Sequence, residues 1–157
     1  MTAAATAKKI ILTLKKRKLK ISCAESCTGG LLADAFVGVS GASEVFLGSL
    51  VCYDPKIKRD VLGVKNSTIK RGVVSEECAK KMAKKARGLF KSDIALSSTG
   101  YAEKSDDPNI PDGTIFIALS SAEKNICEKI VTKSSRNANR KAAANAALKL
   151  LEKFLKQ

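Results

Sequence analysis

Residues 23–30 read "CAESCTGG", which puts Ser26 after an apolar-alternating run and ahead of two adjacent glycines. A hydroxyl carried on a strand-to-helix connection can serve as a nucleophile, because the first N–H groups of the helix lack intrahelical partners and its dipole is positive there. An anion or a developing oxyanion is favoured at such a point. The same residues also have a plain structural reading, in which Ser26 or Thr28 only caps the helix. Gly29 and Gly30 weigh against that reading: each costs a helix about 1 kcal/mol relative to alanine. A glycine pair makes better sense where backbone must approach a ligand closely. The residues alone leave both readings open.

A second stretch, "CYDPKIK" at 52–58, contains a lysine that could act as a base. If Asp54 is a helix N-cap and Pro55 the first helical residue, Tyr53 and Lys58 fall on the two positions that meet in a hydrophobic staple. Their side chains are therefore expected to be adjacent. In the plain reading the lysine methylenes simply lie on the tyrosine ring. In the chemical one, Lys58 is shielded from water and crowded by Lys56 and Arg59, and its pKa falls below the usual value of about 10.4. On residues alone the plain reading is the default.

The chain of 157 residues has no histidine. That excludes Ser/His/Asp catalysis, Cys/His catalysis and the usual zinc hydrolase sites, all of which need imidazole. Any hydrolytic base must come from lysine, tyrosine or a carboxylate. The five cysteines, Cys23, Cys27, Cys52, Cys78 and Cys127, are odd in number and lie mostly among apolar neighbours. They read as buried small hydrophobes in a reducing compartment, not as a disulfide framework. Cys23 and Cys27 lack the second pair that a metal site would need, and neither metal nor cofactor is expected.

The elements that must position these residues follow from periodicity and punctuation. Residues 3–17 read as an amphipathic helix, and "KLKISCAES" turns Leu19, Ile21 and Cys23 inward as a strand. A helix over "TGGLLADAFVGV" and a buried strand over "VFLGSLVCY" come next, then the capped helix after Asp54 with Gly63 at its exit. Ser75 caps "EECAKKMAKKARGLF". Three strands, "DIALSSTG", "DGTIFIALS" and "NICEKIVTK", precede a closing helix from about Asn137 to Leu155. This order predicts one layered α/β domain over 1–157, a mixed sheet flanked by helices.

The net charge of +14 raises nucleic-acid binding as a possibility. The lysines, however, interleave with Ile11, Leu14, Met82 and Leu89 at helical spacing, as on solvated helix faces. Five Phe and two Tyr offer few stacking platforms. A general basic surface is preferred to a dedicated nucleic-acid site. No apolar run approaches the roughly 20 residues needed to cross a bilayer, and the N-terminus lacks a secretory pattern. A soluble, cytoplasmic protein with no membrane partner is expected.

Together "AESCTGG", "VCYDPKIKRDVLGV", "GVVSEECAKKMA", "STG" and "PDGTIFIA" resemble, in order and spacing, the C-terminal domain of the competence/damage-inducible protein CinA. The resemblance runs from about residue 5 to 155, and is to the stand-alone form without the larger N-terminal domain. That family includes nicotinamide mononucleotide deamidases, so the resemblance implies hydrolysis of a pyridine mononucleotide to its carboxylate and ammonia. It implies Ser26 as nucleophile with Tyr53 and Lys58 as activating partners. Glu25, Thr28, Gly29, Gly30, Thr99 and Gly100 become expected substrate contacts, with backbone donors around Thr28 to Gly30 holding the oxyanion. Arg136 and Arg140, in "SSRNANR", become candidates for the substrate phosphate. A homo-oligomer is also implied.

The chain departs from the family after Gly100, where a glycine-rich loop is replaced by "YAEKSDDPNIPDG" with no glycine before Gly113. Acidic residues there repel a phosphorylated substrate unless they point away. This supports a second reading, a catalytically silent relative that binds a nucleotide or a protein partner.

Overall fold

The structure is a computed structural model that describes residues 2–157. Its elements are α1 (Ala3–Arg17), β1 (Ile21–Glu25), α2 (Leu31–Val37), β2 (Phe46–Val51), α3 (Pro55–Asp60), α4 (Asn66–Arg71), α5 (Glu76–Phe90), β3 (Ile94–Gly100), β4 (Thr114–Ser120), β5 (Asn125–Val131) and α6 (Arg136–Leu155). The five strands form one sheet in the order β2-β1-β3-β4-β5. β1 runs parallel to both neighbours, while β3, β4 and β5 are antiparallel in succession. This is the mixed, helix-flanked sheet predicted from the sequence.

Alternation along β1 sends its side chains to two different layers. Ile21 and Cys23 join Ile10, Leu14, Phe36, Leu148 and Leu151 beneath α1, α2 and α6. Ala24 faces the other way, onto Cys78, Met82 and Ala86 of α5. Small residues dominate under α5, with Ala79 and Ala83 against Ala118 of β4, so that helix can lie close to the sheet. Both faces of β1 and β3 are covered, and the carboxyl ends of these two strands open onto the same side, where loops gather.

Punctuation read from the sequence holds where side chains cap helices. Asp54 accepts from Lys56 N at 2.7 Å, with Pro55 opening α3. Ser75 accepts from Cys78 N at 3.1 Å at the start of α5. Two elements differ from expectation. β2 is a half-exposed edge strand, with Leu47 and Val51 turned to solvent and no strand beyond it among the described residues. α4 is absent from the sequence reading, since its N-cap, Lys65, makes no capping side-chain bond.

Candidate active site

Ser26 follows the last residue of β1, and its N–H still donates to Ser98 O of β3 at 3.0 Å. The chain then turns: Gly29 N donates to Ser26 O at 3.1 Å, with Gly29 at φ +57°. α2 begins only at Leu31, so Ser26 sits on the connecting turn and not in the first helical turn.

Neither Ser26 nor Thr28 caps α2. Glu25 does so from the end of the strand. Its Oε2 accepts from Gly30 N at 2.9 Å and Leu32 N at 3.0 Å, and its Oε1 from Ala33 N at 3.0 Å. Thr28 Oγ1 and Ser49 Oγ each donate to the same carboxyl group at 2.8 Å. Five donors surround one carboxyl with no solvent exposure. Glu25 therefore builds the turn, where the resemblance implied a substrate contact. It also occupies the amides of the α2 N-terminus, including that of Gly30. Gly29 N is bonded as well, which leaves Cys27 N and Thr28 N as the turn amides without an acceptor among the described residues. Of the amides expected as oxyanion donors around Thr28 to Gly30, those of Gly29 and Gly30 are therefore occupied and that of Thr28 is not; Cys27 N, outside that range, is the other open one.

Lys58 enters from α3. The helix aims it inward beneath the turn, and it is 1 % exposed. Its Nζ lies 2.9 Å from Ser26 Oγ, 2.8 Å from Cys52 O and 2.9 Å from Tyr53 O. Burial pushes its pKa below the ordinary 10.5, and negative charge on Cys52, Cys78, Cys27 or Asp54 would work in the opposite direction. The thiols themselves are pushed up by burial, Cys27 and Cys78 to about 11, so they stay neutral near pH 7. Two carbonyls fix two Nζ hydrogens, and the third Nζ position faces Ser26. Protonated, Lys58 donates there. Neutral, it presents a lone pair to the Ser26 hydroxyl.

Tyr53 departs from the expected staple. It meets Lys58 through its backbone carbonyl only. The residue is 61 % exposed and its hydroxyl accepts from Arg136 Nη2 at 3.0 Å. A solvent-facing ring cannot cover an ammonium group that has turned into the core.

The two arginines also separate. Arg140 Nε donates to Cys27 O at 3.0 Å and Nη2 to Thr28 O at 2.9 Å, with Nη1 on Asn137 Oδ1 at 3.0 Å. Its guanidinium clamps the turn that follows Ser26, where the resemblance implied a phosphate. A Cβ on Gly29 would come 3.0 Å from Arg140 Nη2, so the glycine admits the clamp. Arg136 remains half exposed at the wall of a cleft of about 540 Å³, lined also by Cys27, Tyr53, Gly100, Glu103 and Asp106. Thr99 is buried and donates to Val73 O at 2.7 Å, tying down the segment before α5, whereas Gly100 reaches the cleft. A Cβ at Gly100 would lie 2.6 Å from Ile115 Cα, so only glycine fits between β3 and β4 there.

Sequence reasoning missed Ser98 and Asn139. Ser98 Oγ lies 2.7 Å from Thr28 Oγ1, bracing the turn from β3. Asn139 is 2 % exposed and donates to Ala102 O at 2.8 Å, holding the 101–113 loop against α6. An asparagine on the inward face of an alanine-rich helix was the available signal.

Fold and site together define an α/β domain with a buried serine–lysine pair beneath a glycine turn. The family model for the CinA C-terminal domain matches residues 3–155, and the chain belongs to that family. A CinA-like protein of Thermotoga maritima is 41 % identical over 149 residues, 94 % of this chain and 36 % of the relative. The chain thus spans about a third of the length of the curated relatives it matches. Among solved structures, the competence/damage inducible protein CihA from Agrobacterium tumefaciens superposes with a TM-score of 0.93 at 31 % identity, covering 99 % of this chain and 96 % of that one. A competence or damage-inducible protein from Enterobacter asburiae gives a TM-score of 0.95 at 27 % identity, with 99 % of both chains covered.

Proposed function

We propose that this protein is an amidohydrolase that converts the carboxamide of a pyridine mononucleotide, nicotinamide mononucleotide, to the carboxylate and ammonia. One observation carries the reading: Lys58 Nζ, buried and oriented by two carbonyls, stands 2.9 Å from Ser26 Oγ. No imidazole is needed for this chemistry. Neutral Lys58 accepts the Ser26 proton as Oγ attacks the carboxamide carbon. The oxyanion lies against the amides of Cys27 and Thr28. Protonated Lys58 then gives its proton to the departing amine, the C–N bond breaks, and ammonia leaves. Water, deprotonated by Lys58, attacks the acyl-Ser26 ester; the acyl C–Oγ bond breaks as Lys58 returns that proton to Ser26 Oγ, and the carboxylic acid leaves. Arg140 and Glu25 hold the turn in which this happens. Tyr53, together with Arg136, belongs to the cleft wall instead of to the proton path. Five free thiols fit a reducing, cytoplasmic setting. A homo-oligomer remains part of the reading.

A second reading, a relative that binds without turnover, draws on the acidic loop, where Glu103 lies against Arg136. Ammonia release from nicotinamide mononucleotide, measured on the full chain and on Ser26→Ala, decides between them. Release that vanishes in the variant supports the amidohydrolase. A folded wild-type protein that releases none, yet binds the nucleotide, supports the second reading.

A further inference from the structure

The carboxyl groups of the 101–113 loop divide into two pairs. Asp112 accepts from Ser105 N at 2.8 Å and Asp107 from Asn109 N at 2.9 Å, so both serve the loop's own turns. Glu103 and Asp106 line the cleft instead. The backbone around Glu103 is pinned: Gly113 N donates to Glu103 O at 2.8 Å, and Asn139 holds the carbonyl of Ala102. The Glu103 carboxylate thereby rests 3.4 Å from Arg136 Nη1, while Nη2 of the same guanidinium is on the Tyr53 hydroxyl.

Arg140 is committed to backbone carbonyls, which leaves Arg136 as the guanidinium facing the cleft. Lys104 and Arg136 are balanced there by Glu103 and Asp106. A phosphate entering the cleft can reach Arg136 only in competition with Glu103, and a dianion meets more repulsion from that carboxylate than a neutral group does. The pair is exposed on both sides, 49 % and 57 %, so it is weak enough to be displaced. It tunes affinity and does not block the cleft.

We infer that Glu103 is a specificity-determining residue: by occupying Arg136 it weakens the hold of the cleft on the phosphate monoester of the mononucleotide and so narrows the margin by which that substrate is preferred to the unphosphorylated nucleoside. The inference rests on the cleft being the substrate site of the proposed amidohydrolase.

The test uses ribose 5-phosphate as a phosphate monoester probe, titrated calorimetrically at low salt into the wild-type chain, Glu103→Gln, Arg136→Gln and the double variant. Glu103→Gln binds the probe about fivefold more tightly than wild type, and the gain disappears on the Arg136→Gln background. In turnover, kcat/KM for nicotinamide mononucleotide relative to nicotinamide riboside rises by about the same factor in Glu103→Gln. Equal probe affinity in wild type and Glu103→Gln overturns the inference, as does a gain that persists without Arg136 or no measurable binding by Glu103→Gln. Tighter probe binding with no ammonia release from either substrate upholds the control by Glu103 and sinks the amidohydrolase. Ammonia release with unaltered probe affinity does the reverse.

Discussion

Lys58 has three N–H donors for three acceptors only while it is charged, and burial works against that charge. Its folded pKa lies below 10.5, the value it regains on unfolding. Unfolded chains therefore bind the proton more tightly, and the stability contribution of Lys58, complete above the unfolded pKa, is lost as pH falls through the folded one. For catalysis the neutral amine is the active form, so kcat/KM is expected to rise with pH along a limb whose apparent pKa lies below that of an ordinary lysine. A pH–rate profile that rises only near 10.5 contradicts the assignment. Lys58→Arg, which stays charged at every accessible pH, should lose turnover throughout. Residue types alone left Ser26 open and made the plain reading of Lys58 the default; the resemblance named the two together, and only the structure shows Lys58 Nζ 2.9 Å from Ser26 Oγ. The Tyr53 contact was not legible, because the staple positions fix which residues are near one another and say nothing of which way an exposed ring turns.

At the scale of elements, the turn after β1 is held from three directions: Glu25 from its own strand, Ser98 from β3 and Arg140 from α6. Glu25→Gln replaces one acceptor oxygen by a donor facing buried donors. It should cost about 2 kcal/mol in urea unfolding and depress activity with it. Gly29→Ala combines a left-handed backbone with a contact on Arg140, and about 1–2 kcal/mol of destabilisation is expected. Arg140→Gln should lower kcat by about tenfold with little change in KM, and Arg140→Lys should restore only part of it. A contact to the substrate phosphate would instead raise KM for the mononucleotide and spare the nucleoside. The helices at Asp54 and Ser75 could be read because a capping side chain sits at each start. Glu25 could not, because it caps a helix that begins six residues beyond itself, a strand residue doing what a local serine was expected to do. Strand order is equally silent in the sequence, so the edge position of β2 appears only once the sheet is assembled.

For the whole molecule, alternation of period two and helical period 3.6 were enough to place the strands and the long helices, since each has one or two apolar faces to bury. Lys58 apart, the large positive charge stays at the surface, where Lys65, Lys81, Lys84 and Lys85 line an open groove beside α5. Retention on polyanions is therefore expected, falling steeply with added salt. Mononucleotide binding should saturate and depend on salt far less, and comparing the two titrations separates surface charge from site. α6, the final helix, supplies Arg140 to the turn, Asn139 to the loop and Arg136 to the cleft wall. During synthesis Ser26 and Lys58 emerge before α6, the segment that clamps the turn and shapes the cleft beside them. Until α6 has been made, a growing chain therefore holds the Ser26–Lys58 pair on a turn without its Arg140 clamp and on a sheet face without Leu148 and Leu151.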